Sequence, residues 1–544
     1  MVFKLRVLVR FTVWAFIAAF LAVCGCTRQS LWSLANEKKP VLKVATLFTA
    51  HDVHKYLSTD NDIATAMNWC RNTGVTHVYL ETYRNGFPAE KKLITVAKSR
   101  FAAEGFEVSG CVTTTGVGKI STGWKLISCY TDNSTRQQLE NIFRHTASMF
   151  DEIMIDDFLF TDCECQQCQQ ARGQKSWSDY RCALMNSISA DYILAPARAV
   201  NPRVKVIIKY PLWYEQFHNH GYDVIGQTSL YDKIYIGTET RDYDGPRKDR
   251  KVQYQAYYIM RWLGGIGGAK TAGGWFDSID TTEHTYVEQA RQTVLGGAEE
   301  LFLFSYGHLH DGNNPANVEK FRSELPGLFR LAALVKDKPV RGIIVPKPPG
   351  SDAQNEEYVL SFAGMLGLPL VPCAQIYPDA KAAFFSIHAL KDPAFTDKLR
   401  QMLDTGRPVA VTDTLARALE SQGVKFTGDN PTILPVNGDP KNLLKLTPEQ
   451  LAAVRNKLLE PFGMKFYAPN NVGLYLFGSD CIVVENFNNE PVTGRLEFAN
   501  RLKVKESLVL PFDTQVRLRH GSRKLEVAVP PRALVAFKIT GRFG

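Results

Sequence analysis

Between Val41 and Lys336, eight short apolar runs rich in β-branched and aromatic residues alternate with stretches of helical period, and this alternation constrains the fold more than any other feature. The runs are Leu42 to Leu47, Thr76 to Tyr83, Glu107 to Thr113, Glu152 to Phe158, Val204 to Lys209, Lys233 to Ile236 running into Thr240, Lys270 to Phe276, and Glu300 to Ser305. Between them, sets such as Leu139, Ile142, Phe143 and Ala147, or Val287, Ala290 and Val294 ahead of Gly296-Gly297, recur at helix spacing. Strands that alternate with helices are joined by crossovers and so lie parallel. Eight such units predict a (βα)8 TIM barrel over 41–336, with an open doubly wound sheet as the alternative of equal periodicity.

From Pro339 the βα pattern restarts on a smaller scale. Strands at Gly342 to Val345, Ala383 to Ser386 and Val409 to Thr412, with helices at Glu356 to Leu366 and Ala394 to Leu403, predict a small α/β domain over 337–460. Cys373 sits there without a glycine-rich elbow and reads as a buried cysteine. Short alternating runs from Gly473 onward predict a β-sandwich over 465–544. The chain is 45% hydrophobic and 22% charged, ordinary for a globular protein. Its net charge of +9 lacks any long basic run, so nucleic acid is not an expected partner. Most of the surplus lies in Pro491 to Gly544, with eleven Lys or Arg against four acids: a solvated basic face, or one that meets anionic lipid or glycan.

Lys4, Arg6 and Arg10 precede an apolar run from Phe11 to Val23, short for a spanning helix, and then Cys24-Gly25-Cys26. Residues 1–26 read as an export signal that resembles the lipobox of bacterial lipoproteins, with lipidation at Cys26. An uncleaved anchor, or cleavage without lipid, remains the alternative. The polar stretch 27–40 reads as a tether, and the protein as an exported one, lipid-anchored to a membrane of a bacterial cell envelope.

A barrel of this kind carries its active site at the C-terminal ends of the strands. Strand four ends in Asp156-Asp157, strand six leads into Glu239 and Arg241, and strand seven ends in Trp275-Phe276-Asp277. Strand two contributes Glu81, Tyr83 and Arg84, and strand eight leads to Tyr306, His308 and His310. Carboxylates converging on one mouth, with Trp124, Trp213, Tyr214 and Trp275 to stack on sugar rings, suit glycoside hydrolysis: one acid protonates the leaving oxygen and another stabilises or attacks the anomeric carbon. Asp157 is the expected general acid, Glu239 or Asp277 the opposing carboxylate, and Asp156 a substrate-positioning group. Glu81, Arg84, Trp124, Trp213, Arg241, Trp275, Tyr306 and His308 are the expected substrate contacts. Any one of these acids could instead cap a helix or pair with an arginine.

Cys163-x-Cys165-x-x-Cys168 follows the strand-four acids directly. Three thiolates this close chelate a soft metal, and Cys129 is the expected fourth ligand of a closed, structural tetrahedral zinc. Cys111, inside an apolar strand, reads as buried. Disulfides are the competing account in an exported chain, but a Cys163–Cys165 bridge would be strained. No organic cofactor is expected; an oligo- or polysaccharide is the expected partner, and self-association is open.

Taken together, the barrel, the strand-four acid, the C-x-C-x-x-C loop, the upstream Cys-x-Thr, the small α/β domain and the terminal sandwich resemble the glycoside hydrolase family 42 β-galactosidases. That resemblance implies a retaining glycosidase whose strand-four Asn-Glu pair supplies the acid/base and whose strand-seven Glu is the nucleophile. Here Asp156-Asp157 and Asp277 stand nearest those positions, so both glutamates are replaced by shorter acids. The adjacent aspartates also resemble the pair in substrate-assisted hexosaminidases of the O-GlcNAcase kind, where one orients the acetamido group and the other is the acid/base. A non-catalytic carbohydrate-binding lipoprotein is the reading from another class.

Overall fold

The first and last strands of the barrel pair with each other, so the sheet is closed and the open-sheet alternative falls away. The strands are β1 (Lys43–Phe48), β2 (His77–Arg84), β3 (Glu107–Val112), β4 (Glu152–Ile155), β5 (Lys205–Tyr210), β6 (Lys233–Gly237), β7 (Thr271–Asp277) and β8 (Glu300–Phe304). In this computed structural model, which describes residues 29–243, 251–312, 315–426, 428–512, 514 and 516–541, β1 pairs parallel with β2, placing Ala45 opposite His77, and with β8, placing Lys43 opposite Glu300. The remaining neighbours pair in chain order, all parallel. Each of the eight expected runs carries one of these strands. Val, Ile and aromatic residues suit the pleat, and with helices outside and side chains inside, the strands are buried on both faces.

The barrel is filled, not hollow. Leu47, Tyr79, Cys111, Met154, Ile207, Tyr235, Trp275 and Phe302 are in one interior cluster, so Cys111 is a packing residue as expected. At the N-terminal end the filling turns polar: His77 lies 2.9 Å from Glu300 and 2.9 Å from Ser109, and the Tyr235 hydroxyl donates to Glu300.

Downstream, a five-stranded parallel sheet runs in the order Leu370–Cys373, Ile343–Pro346, Ala383–Phe385, Val409–Thr412, Thr432–Leu434. Two of its strands lie outside the expected set. Leu370–Cys373 contains Pro372, which masks a strand pattern and is tolerated because this strand is at the sheet edge. The expected helix Glu356 to Leu366 is shorter, Val359–Gly364. Cys373 is half-buried, its thiol donating to the Gln375 carbonyl. The helix Tyr254–Gly267 joins this sheet to the barrel; its Trp262 indole donates to the Lys347 carbonyl at 2.8 Å and Tyr257 to Leu370 at 3.1 Å. The C-terminal strands form two antiparallel sheets, one of which recruits Val340–Arg341 as its edge.

The stretch 27–40 is not a tether along its length. Leu31–Lys38 is a helix whose first turn is capped by the Ser30 hydroxyl. Its Ala35 is buried and Trp32 packs on Phe106, so apolar residues spaced within a polar stretch draw it onto the barrel. The expected signal segment, with Cys24 and Cys26, lies outside the described residues. No helix among the described residues is long and apolar enough to cross a membrane.

Candidate active site

Four acids meet at the C-terminal mouth, and one lysine stands among them. Asp156 follows the last residue of β4; its carboxylate accepts from Arg84 at 2.9 Å, from Thr113 at 3.1 Å and from the Asp157 amide at 2.8 Å. Asp157 Oδ2 pairs with Lys209 Nζ at 2.7 Å, and Glu239 Oε1 pairs with the same nitrogen at 2.7 Å. Asp156 Oδ1 is 3.6 Å from it. The Asp157 and Glu239 oxygens therefore lie within twice 2.7 Å of each other. Asp277, at the end of β7, pairs with Arg241 at 2.8 Å. Gly237 at the end of β6 makes room for Glu239: a Cβ there would come 2.4 Å from Glu239 Oε2 and 2.9 Å from the Leu212 amide.

Burial and neighbouring charge separate these acids. Burial, joined by the nearby Asp156 and Glu239 charges, outweighs Lys209 and raises the Asp157 carboxyl to about 7. Burial also acts on Asp156, but Lys209 and Arg84 outweigh it and hold Asp156 below its ordinary value. Glu239 is raised by burial, against the pull of Lys209. Glu81, fully buried, is raised by burial against its ion pair with Arg84. Burial alone would discharge Lys209, yet Asp157, Glu239 and Asp156 keep it charged. Among the direct contacts, two cations, Arg84 and Lys209, thus face four carboxyls, Glu81, Asp156, Asp157 and Glu239, while Arg241 pairs with Asp277 and Lys251 lines the cavity at this mouth. That imbalance in a desolvated site is relieved by protons on the acids whose burial is least compensated.

Apart from Glu81, these groups line a cavity of about 480 Å³ with Trp124, Phe158, Phe160, Trp213, Trp275 and Phe304. Trp124 is 45% exposed and packs on Phe158 at 5.7 Å, while Phe160 packs on Trp213 at 5.1 Å, so an aromatic wall runs from rim to floor. Of the expected residues, Asp156, Asp157, Glu239, Asp277, Arg84, Trp124, Trp213, Arg241, Trp275 and His308 line this cavity. Three expectations are corrected. Glu81 lies beneath the site, accepting from Arg84, Thr113 and the Ala50 amide. Tyr306 is turned behind β8 against Phe48 and Trp69. Tyr214 is buried with its hydroxyl on Ser361 at 2.9 Å, and offers no stacking face. Lys209 was not among the expected site residues. Its signal is a lysine closing the apolar run Val206-Ile207-Ile208, at the barrel's active end.

A family model described as "Probable glycosyl hydrolase, catalytic domain" matches residues 29–353, more than half of the chain. The chain belongs to that glycosyl hydrolase family. It is 26% identical over 336 residues to an uncharacterised protein, SSO3021, of Saccharolobus solfataricus, covering 55% of each, so it spans about half the length of that curated relative. Two solved structures share the architecture. The α-L-fucosidase isoenzyme 2 of Paenibacillus thiaminolyticus aligns with a TM-score of 0.59 at 10% identity, over 92% of this chain and 99% of that one. Gan42B, a GH42 β-galactosidase, aligns with a TM-score of 0.55 at 9% identity, over 91% and 98%. Both likenesses are of fold, and the residues that the family model matches span the barrel whose mouth carries the four acids.

Beside that mouth the four expected cysteines converge. Cys129 Sγ is 3.5 Å from Cys168 and 3.8 Å from Cys165, Cys165 is 3.7 Å from Cys168, and all four sulfurs, with Cys163, lie within 4.8 Å of one another. Bonds of about 2.3 Å to one tetrahedral ion place sulfurs roughly 3.5 to 4 Å apart, so the donor set fits a metal ion. Hydrogen bonding from Cys168 first, and from Cys163 and Cys165, outweighs burial and lowers the Cys129 thiol to about 5. The cluster fastens the 115–132 loop to the chain after β4. Asp162 in that chain accepts from the Trp124 amide at 2.7 Å and fills the space a Gly123 Cβ would need, 2.3 Å away.

Proposed function

We propose that this protein is a glycoside hydrolase that cleaves an O-glycosyl bond in an oligo- or polysaccharide, with Asp157 as general acid and Glu239 as the opposing carboxylate. The supporting observation is the Asp157 carboxyl at about 7 held one lysine away from Glu239. An acid with that value keeps a proton near neutrality and delivers it to the glycosidic oxygen as the bond breaks. The two oxygens that share the Lys209 nitrogen lie no more than twice 2.7 Å apart, closer than the roughly 6.5 to 9.5 Å that admits an inverting water, which supports a retaining reaction. Glu239 then attacks the anomeric carbon, and Asp157, now a carboxylate, takes the proton from the water that releases the sugar. Asp156, tied to Arg84, Thr113 and the Asp157 amide, holds the acid in place. Those three partners leave it poorly disposed to orient an acetamido group, which argues against the substrate-assisted reading. Asp277, paired with Arg241, forms the wall next to Glu239.

Asp157→Asn on an aryl glycoside that the wild type hydrolyses should lower kcat by roughly 10²- to 10⁴-fold, and less for an activated leaving group that needs no proton. Turnover within a few-fold of wild type on both substrates would refute the assignment. We further read the cysteine cluster as a structural zinc site and residues 1–26 as a lipoprotein signal. Labelled lipid should enter the wild-type chain and be absent from Cys26→Ser; labelling retained in that variant points to Cys24.

A further inference from the structure

The segment 211–222, after β5, faces the cavity on one side and the downstream parallel sheet on the other. On the cavity side, Trp213 lines the pocket, its ring packs on Tyr222 at 5.6 Å, and the Tyr222 hydroxyl donates to the Asp157 carbonyl at 2.8 Å. On the sheet side stands Glu215, 1% exposed. One of its oxygens accepts from the Tyr358 amide at 2.9 Å; the other lies 2.9 Å from His388 Nε2 and 3.3 Å from Lys347 Nζ. His388 is likewise buried, with Ser386 Oγ 2.8 Å from its Nδ1. All three partners of this carboxylate come from beyond the barrel, at least 132 positions further along the chain. The Ser–His–Glu order is sealed from solvent at every member, so it cannot meet a substrate and acts through geometry alone.

A carboxylate without water is held only where its partners are, and is left uncompensated if one is withdrawn. Glu215 is thus the buried, charged point of a grip that Tyr214 on Ser361 at 2.9 Å, Gln216 on Glu357 at 3.1 Å and His218 on Asp352 at 2.9 Å extend along the loop. Two residues before the grip is the cavity's aromatic face, and seven residues after it is the hydroxyl under Asp157. We propose that Glu215, gripped by His388 and Lys347, is a positioning residue that lets the downstream sheet fix Trp213 for glycan binding. This rests on the preceding reading for the identity of the ligand but not for the grip itself.

The test uses the whole protein labelled with 5-fluorotryptophan. The chain has eight tryptophans, and Trp213→Phe assigns the Trp213 resonance in the 19F spectrum. In His388→Ala the Trp213 signal should shift or broaden while those of Trp32 and Trp69, on the far side of the barrel, stay put. It should return in His388→Gln, whose amide nitrogen reaches Glu215. His388→Asn, whose shorter amide reaches Ser386 but not Glu215, takes the place of the alanine variant if that does not fold. On a hydrolysed aryl glycoside, KM should rise roughly ten-fold with kcat within a few-fold, as expected for loss of one ordered stacking face. An unshifted Trp213 signal in the folded Ala or Asn variant, whatever its Tm, overturns the proposal. If the wild type hydrolyses no glycoside, the enzymatic reading falls while the 19F result still decides this one.

Discussion

Lys209 and Asp157 form a 2.7 Å ion pair between neighbouring barrel strands, and Lys209 is only 2% exposed. The lysine cannot leave for water. It stands 4.3 Å over the Trp275 ring, which adds a π face to its cage of carboxylates. Its charge keeps Asp156 ionised and opposes protonation of Glu239, while burial still leaves a proton on Asp157. In the proposed reaction one cation therefore touches both the donor and the opposing carboxylate.

Lys209→Met should impair chemistry more than it impairs binding. Without the ammonium, Glu239 rises further and loses the ionised form that attack requires, so kcat should fall by roughly 10²- to 10³-fold. The uncompensated carboxyls should also lower Tm at pH 8, with partial recovery at pH 5, where protons replace the missing cation. Thermal melts at the two values, alongside steady-state kinetics, check both effects.

The pH dependence of kcat/KM should show a descending limb set by the Asp157 proton. Its carboxyl is raised from the usual value to about 7, so the active form is present below that value and lost as pH rises through it. The limb should be missing from the residual activity of Asp157→Asn on an activated substrate. Initial rates from pH 4 to 9 check this.

Removing metal from the cysteine cluster should loosen one wall of the cavity while the barrel persists. Cys129→Ser, or extraction by a strong chelator, should lower Tm by several degrees, because the cluster pins the Trp124 loop to the chain after β4. Elemental analysis should find one zinc per chain in the wild type and none in the variant.

Stability should fall as pH rises through the neutral range. Burial, aided by the nearby Glu288 charge and opposed by Arg291, raises Glu485 to about 8, and burial raises Glu288 to about 7. Both sit where the helix Glu283–Leu295 meets the C-terminal sheets, and Glu485 accepts from Gln292 and Tyr475. Folded pKa values above the unfolded ones make the native state the better proton binder. Their stabilisation is complete below about 4.5 and lost as pH passes 7 to 8. Glu485→Gln should flatten that loss by on the order of a few kcal/mol, read from denaturant melts at pH 5 and 8.5.

The strands of the barrel and the acids at their ends were legible because both follow from local pattern. A buried parallel strand must be a continuous apolar run, and the first polar residue after it falls at the C-terminal mouth. Asp156, Asp157, Glu239 and Asp277 were found that way, and Cys129 with Cys163, Cys165 and Cys168 from the short reach of thiolates around one ion. In the downstream sheet the local signal was weaker, since Leu370–Cys373 carries a proline and its neighbours are only three to four residues long.

Which way a strand-end side chain points was decided only by the closed barrel. Glu81 and Tyr306 sit at strand ends as the pattern requires, yet the register of β2 and the turn after β8 send one beneath the site and the other behind it. Lys209 extends an apolar run and carries no motif; it becomes a site residue because closure sets β5 between Asp157 on one side and Glu239 on the other. Glu215 meets His388, 173 positions away, only because the helix Tyr254–Gly267 docks the downstream sheet beside the mouth. Periodicity and spacing are properties of neighbours along the chain and can be read from it. The partners of a buried charge come from anywhere the chain returns to, and only the packed structure brings them together.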